Sequence, residues 1–246
     1  MKNNEVSVII PAKNEEEYLP RILDSLLLQN GVFMEIIVSV SPSTTDKTAL
    51  IAEKNCCKVV EGGRLATGRN NGAKNAIFDT LFFMDADTYP EDKYFLSNAL
   101  EEFHSRKLDV AGTLFFPDFE GNRFKKFLYK FLYDIENYIF LKREKSYKPK
   151  MRSGIFLNRN AFFSLDGFKE GIFGEDSEIA ERAIEHNPKL NFGILRSCGK
   201  LKNSVRRYER EGFVKTLLKI LYLNVKAELF GYNSLKGVHE KFYELK

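Results

Sequence analysis

Carboxylates carry the chemistry that this sequence offers. Asp85-Ala86-Asp87 follows directly on Leu81-Phe82-Phe83-Met84. Two aspartates one residue apart at a strand end can jointly hold a hard divalent cation and the ribose and diphosphate beside it. Alone the pair is a weak signal, because a solvated turn after a strand has the same composition. Four large apolar residues before it set it at the mouth of a buried strand, where acids are costly unless they bind something. A second cluster is Gly174-Glu175-Asp176-Ser177-Glu178. It reads either as a helix start whose acids suit the dipole or as a site where one carboxylate is a general base toward a hydroxyl. Spacing leaves both readings open.

The elements that must position these acids alternate two periods. Val6-Ser7-Val8-Ile9-Ile10 reads as a strand ended by Pro11, and a helical pattern follows from about Glu15 through Leu19, Ile22, Leu23, Leu26 and Leu27. A second apolar run, 35–40, enters Ser41-Pro42-Ser43-Thr44-Thr45, after which Asp46 is suited to cap a helix through Leu50 and Ile51. A short strand at 58–60 precedes Glu61-Gly62-Gly63-Arg64, a helix is expected over 73–78, and 81–84 is the strand leading into the aspartate pair. Strands alternating with helices imply an α/β, mostly parallel, Rossmann-like sheet with helices on both faces. Ligands then sit beyond the carboxyl ends of the strands, so 11–15, 41–46, 62–69 and 85–87 should line one crevice.

The second half is less regular, with strands expected at 110–116 and 151–157 and a helix at 175–186. A long helical stretch, 123–150, is dense in aromatics and lysines, and an amphipathic run, 213–230, follows Arg206-Arg207-Tyr208. No repeat or linker interrupts the chain. The simplest division is a catalytic domain over 1–200 and a C-terminal helical extension over 201–246.

Composition narrows the function. Of 246 residues, 43% are hydrophobic and 29% charged, which excludes a disordered chain, and the net charge of +4 is too mild to imply a nucleic-acid partner. Cys56, Cys57 and Cys198 suit idle reduced thiols, which points to a cytoplasmic location. His104, His186 and His239 lack metal-ligand spacing. The first apolar run is too brief for a signal-peptide core, and no uncharged apolar run approaches the ~20 residues of a membrane span. Dinucleotide fingerprint, phosphate loop and nucleophile elbow are all absent.

Taken in order, Val8-Ile9-Ile10-Pro11-Ala12-Lys13-Asn14-Glu15, Glu35-Ile36-Ile37-Val38 with Asp46, Gly68-Arg69-Asn70 with Gly72, Asp85-Ala86-Asp87, Gly154, Gly167-Phe168 and Glu175-Asp176 with Arg182 form a pattern. Over about residues 5–187 it resembles the family 2 inverting glycosyltransferases, which have the GT-A fold. The resemblance implies a nucleotide-diphosphate-sugar donor and a Mn²⁺ or Mg²⁺ ion. Pro11, Ala12, Asn14 and Glu15 would lie against the nucleoside, with Ser41, Asp46 and Ala86 completing the nucleotide-sugar site. Arg69 would sit near the diphosphate, Asp85 would reach the ribose or the ion, and Asp87 would ligate the ion. Asp176 would be the catalytic base, with Glu175 supporting the acceptor site. Arg206, Arg207 and Tyr208 resemble a basic-aromatic segment that contacts the diphosphate or acceptor, although a surface charge cluster has the same composition. One departure stands out: hydroxyls at 39–45 replace an acidic pair of the family, which leaves UDP and GDP donors both open.

The lysine-aromatic stretches at 124–141 and 213–230 suit either core-facing helices with solvated basic faces or helices lying in a membrane interface. A saccharide or a polyprenyl-linked acceptor fits, the latter at the cytoplasmic face of a membrane. A sugar-phosphate nucleotidyltransferase shares the sheet and acidic site but wants a Gly-rich loop with arginine after the first strand. A nucleotide-sugar-binding protein without turnover is the non-enzymatic alternative.

Overall fold

Period-two alternation builds the core on both sides of one sheet. In β1 (Glu5–Ala12), Val6, Val8 and Ile10 pack on one face, and Ile9 packs on the other, all fully buried. Along the chain follow α1 (Leu19–Leu27), β2 (Phe33–Val40), α2 (Thr48–Lys54), β3 (Lys58–Glu61), α3 (Leu65–Lys74) and β4 (Thr80–Phe83). In β4, Phe82 joins the first face and Leu81 and Phe83 the second. The structure, a computed structural model, describes residues 4–186 and 189–236. His239 and the last ten residues of the expected extension lie outside the described residues.

The second half supplies β5 (Thr88–Pro90), α4 (Phe95–Ser105), β6 (Val110–Gly112), β7 (Phe115–Asp118), α5 (Arg123–Arg143), β8 (Ile155–Asn158), α6 (Arg159–Ser164), α7 (Glu175–His186), β9 (Phe192–Ile194), β10 (Leu201–Ser204), α8 (Arg206–Glu211) and α9 (Phe213–Phe230). The large sheet runs β3-β2-β1-β4-β8-β6-β9. Its pairs are parallel except where β8 runs antiparallel to β4 and β6. Helices α1 and α4 cover one face and α3, α6 and α7 the other, as the alternation of strands and helices implies. A smaller sheet, β5-β10-β7, stands beside the carboxyl end of β4.

Three sequence expectations shift. The run 110–116 is two strands, because Val110–Gly112 pairs with β8 and β9 while Phe115–Asp118 pairs with β10. The long helix stops at Arg143: Glu144 is anchored by the Ile194 N–H and Arg106, and Pro149 bars further helix. The third helix spans Leu65–Lys74 rather than 73–78, so it begins directly after Glu61-Gly62-Gly63-Arg64 and itself carries Gly68-Arg69-Asn70 and Gly72. The division at residue 200 falls just before β10, which is the middle strand of the smaller sheet.

Glycine earns its place in α3 through contact. A Cβ at Gly72 would stand 2.4 Å from Ile9 Cγ2 and 3.0 Å from Ser39 Oγ, and one at Gly68 would stand 3.1 Å from Pro11 Cβ. The helix therefore lies directly on β1 and β2. Gly72→Ala should destabilise the fold by about 1–3 kcal/mol through overpacking. Urea unfolding checks this as a fall in the midpoint at unchanged slope.

Candidate active site

A cavity of about 780 Å³ opens at the carboxyl ends of the parallel strands, within the size of small-molecule sites. Pro11 and Ala12 from the end of β1, Ser41 after β2 and Asp85, Ala86 and Asp87 after β4 all line it. Across from them are Glu175 and Asp176, at the start of α7. Gly174 adopts a φ of +82°, the left-handed turn that aims the chain into that helix, and its carbonyl accepts the first helical bond from the Glu178 N–H. Acids in the first turn of α7 are favoured by its dipole. Arg182 then fastens α7 by donating to Glu178 and to the carbonyls of Leu165 and Gly167.

Arg69 joins the two acidic segments. Its side chain has no solvent exposure. Nη1 donates to Asp176 Oδ1 at 2.5 Å and to Glu175 Oε1 at 3.2 Å, while Nη2 donates to Asp85 Oδ1 at 2.9 Å. The guanidinium lies 5.0 Å from the Phe168 ring centre. Arg69 thus sits beneath the cavity floor, not at its surface where a diphosphate would meet it. It lies on helix α3, and the close approach at Gly68 and Gly72 lets it reach under the floor. Burial, with Asp176 and Asp85 close by, pushes the Glu175 carboxyl up to about 8 against the pull of Arg69. Burial also raises Asp176 above the usual carboxylate range, with Arg69 opposing and Asp85 adding to the rise.

A second arginine serves the other carboxylates. Arg206, at the start of α8, donates to both Glu15 oxygens at 2.7 and 2.8 Å and lies 3.2 Å from Asp87 Oδ2 through Nε. It stacks on Tyr18 with 4.4 Å to the ring centre. Asn203 of β10 donates to Asp87 Oδ1 at 3.4 Å and accepts from Tyr133 at 2.8 Å and Arg152 at 3.0 Å. Arg152 in turn pairs with Glu136 at 2.7 Å. Sequence reading missed Arg152 and Asn203. The available signals were a cation just ahead of the apolar run at 155–157 and a polar residue two positions after Leu201, on the same face of a short strand.

The remaining expected residues divide by role. Glu15, Arg206, Arg207 and Tyr208 line the cavity, while Tyr208 also packs against Tyr129 and Phe213. Asn14 and Asp46 are instead spent on the loops. Asn14, with φ +53°, accepts from the Thr45 N–H at 2.8 Å, and Asp46 accepts from the N–H groups of Glu16 and Thr48, both at 3.0 Å. The hydroxyls of Ser41 and Ser43, 3.0 Å apart, face the cavity from the segment in which hydroxyls replace the family's acidic pair. Cys57 and Cys198 are raised by burial to about 11 and about 12, so neither is a thiolate near neutral pH.

A hard divalent ion fits this donor set. Asp85 and Asp87 present carboxylate oxygens to the cavity with side chains 34% and 21% exposed. Even with Glu175 holding its proton, Glu15, Asp85, Asp87 and Asp176 stand against the two guanidiniums of Arg69 and Arg206. Among the described residues no three His, Cys, Asp or Glu side chains are grouped to cage a metal unaided. Mg²⁺-like ions commonly take one or two carboxylates and complete their shell with substrate phosphates and water.

A family model described as Glycosyl transferase family 2 matches residues 7–170. The chain belongs to that family. The matched segment of this glycosyltransferase-family chain includes Arg69, Asp85 and Asp87 and ends before Glu175. An uncharacterized glycosyltransferase, EpsJ of Bacillus subtilis (strain 168), is 32% identical over 125 residues, covering 48% of this chain and 36% of its own length. Among solved structures, TarS of S. aureus in complex with UDP-GlcNAc superposes with a TM-score of 0.63 at 20% identity, covering 81% of this chain and 58% of that one. The mannosyltransferase PcManGT of Pyrobaculum calidifontis, in complex with GDP-Man and Mn²⁺, gives 0.64 at 20% identity over 81% and 56%. These likenesses establish the GT-A fold. The chain spans about a third of its curated relative and somewhat over half of the two solved chains.

Two measurements test the buried cluster. Arg69→Met leaves Glu175 and Asp176 without a counter-charge and should cost about 3–5 kcal/mol in urea unfolding. Because Glu175 is raised, the folded state holds its proton between about 4.5 and about 8 while the unfolded state releases it. The Glu175 contribution to stability therefore falls as pH rises through that window. Glu175→Gln should remove this dependence, so the Tm difference in favour of the variant widens from pH 5 to pH 8.

Proposed function

We propose that this chain is an inverting transferase that moves a sugar from a nucleotide-diphosphate-sugar to an acceptor hydroxyl. The observation that carries the reading is the single ion cluster in which Arg69 binds Asp85 on one side of the cavity and Asp176 on the other. It brings a donor-side carboxylate within reach of a base separated from it by about ninety residues. The UDP-GlcNAc and GDP-Man complexes of TarS and PcManGT support a nucleotide-sugar donor.

In this reading the strand ends beside Pro11, Ala12 and Ser41 receive the nucleoside, and Asp85 and Asp87 face the diphosphate. A divalent cation, Mn²⁺ or Mg²⁺, held by Asp87 with Asp85 would neutralise charge on the leaving diphosphate. Arg206 lies beside Asp87 and offers a fixed positive charge to the same phosphates. Asp176 accepts the acceptor hydroxyl proton while the freed oxygen forms a bond to the anomeric carbon. The bond from that carbon to the phosphate oxygen breaks, and the nucleoside diphosphate leaves with its electron pair. Arg69 holds Asp176 through Oδ1, leaving Oδ2 for the proton. Its raised proton affinity makes Asp176 a stronger base than a surface aspartate.

Asp176→Asn should lower transfer by at least about 10²-fold, the scale of a lost general base, while donor binding by calorimetry stays near wild type. Asp87→Ala should remove both activity and the Mn²⁺ dependence of donor binding. Loss of donor binding in Asp176→Asn, or a chelator-resistant active Asp87→Ala, would defeat these assignments. Because Asp176 is raised, activity should fall on the acid side at a pH above the usual aspartate range, read from a kcat/KM profile.

A further inference from the structure

The catalytic cavity does not end at the carboxylates. Its far wall is made by α5 and α9, which touch at two places. At one end the Tyr129 and Phe213 rings pack 5.6 Å apart, and at the other Arg143 Nη1 reaches Glu228 Oε2 at 2.8 Å. Those contacts join residues early in both helices and residues late in both, so the helices run parallel. They are spaced by about 20 Å of helix. Between the two pins, Leu132, Ile135 and Ile139 of α5 and Leu217, Leu221 and Val225 of α9 face the same cavity as Asp87 and Asp176. Four of these apolar side chains are left substantially uncovered: Ile135 at 41%, Ile139 at 40%, Leu221 at 51% and Val225 at 56% exposure. The result is an elongated apolar slot, pinned at both ends and open on its inner side to the carboxylates.

Charge changes along this path. Deep in the cavity the acids dominate, but along the slot wall the cations Arg143, Lys150, Arg152 and Arg207 outnumber Glu136 and Glu228, which pair with Arg152 and with Arg143 and Lys150. An apolar slot approached past a cationic collar is complementary to one kind of molecule, a long hydrocarbon chain with an anionic head. We infer that the slot between α5 and α9 holds the hydrocarbon chain of a lipid-phosphate-linked acceptor, its head group at the collar and its reacting hydroxyl toward Asp176. The inference rests on the transferase reading above, and it names the acceptor class that reading leaves open. Two features favour a single chain over a docked protein helix. The slot is closed at both ends by the ring contact and the ion pair, and it is continuous with the catalytic cavity, not separate from it. Outward-facing apolar residues such as Phe127 (65% exposed) and Leu229 (69% exposed) lie outside the cavity and serve as controls.

Calorimetry of the full chain with farnesyl phosphate below its micellar concentration, alongside farnesol and inorganic phosphate, tests this. Farnesyl phosphate should bind at least ten times more tightly than either fragment. Ile139→Glu and Leu221→Glu should each weaken it at least tenfold, while Phe127→Glu and Leu229→Glu leave it unchanged. Binding of UDP or GDP with Mn²⁺ by the same variants reports that they fold and separates the two readings. Intact nucleotide binding without farnesyl phosphate binding sinks the slot alone, and nucleotide binding absent in wild type sinks the transferase reading. Should a slot variant not fold, hydrogen exchange on the wild type replaces it, with farnesyl phosphate expected to protect 132–139 and 217–225. Equal binding of inorganic phosphate, or slot variants as tight as wild type, would overturn the inference. So would vesicle flotation lost in Phe127→Glu together with farnesyl phosphate binding, which would make the face a membrane dock. A wild-type dimer broken by Leu221→Glu would show a second copy in the slot and also overturn it.

Discussion

A single guanidinium, fully removed from water, sets the terms for this site. Arg69 cannot stay buried without anions around it, and three carboxylates from two distant chain segments meet that demand. The converse holds as well. Glu175 and Asp176 could not share so dry a position without a cation between them, and even so both are pushed toward holding their protons. The ion cluster is therefore a geometric lock that fixes the start of α7 against the end of β4.

The lock depends on backbone contact. α3 reaches beneath the cavity because Gly68 and Gly72 present no Cβ to Pro11, Ile9 or Ser39. Glycines weaken an isolated helix by roughly 1 kcal/mol each, and here that loss is offset by the packing it permits. Gly174 plays a different part through its left-handed φ, which sets the direction of α7. Backbone choices at these few positions decide where the charged side chains end up.

Arg206 extends the same logic to the other half of the site. It stands between Glu15 and Asp87, so these carboxylates are also partly neutralised from within the chain. The smaller sheet makes this possible, since β10 delivers Asn203 to Asp87 and leads directly into α8. The segment after residue 200 thus contributes to the floor and wall of the cavity, and through α9 to the apolar slot beside it.

Much of this was legible in the chain itself. Alternation in Val6-Ser7-Val8-Ile9-Ile10 and the unbroken run before Asp85 identified strands buried on both faces, and with them the end of the sheet where a site must form. Local periodicity also located Glu175 and Asp176 at a helix start. Periodicity reports only on neighbours, however. It could not divide 110–116 between two sheets, because each half is strand-like and its partner lies elsewhere in the chain. It likewise could not tell that Arg69 would be buried under the floor and Arg206 drawn to Asp87. Asn14 and Asp46, which are polar and in the right loops, were consumed by loop hydrogen bonds that sequence does not display. Residue type and spacing determined which groups are available for chemistry. The pairing of opposite charges across the fold, governed by desolvation and long-range packing, decided which of them face the cavity.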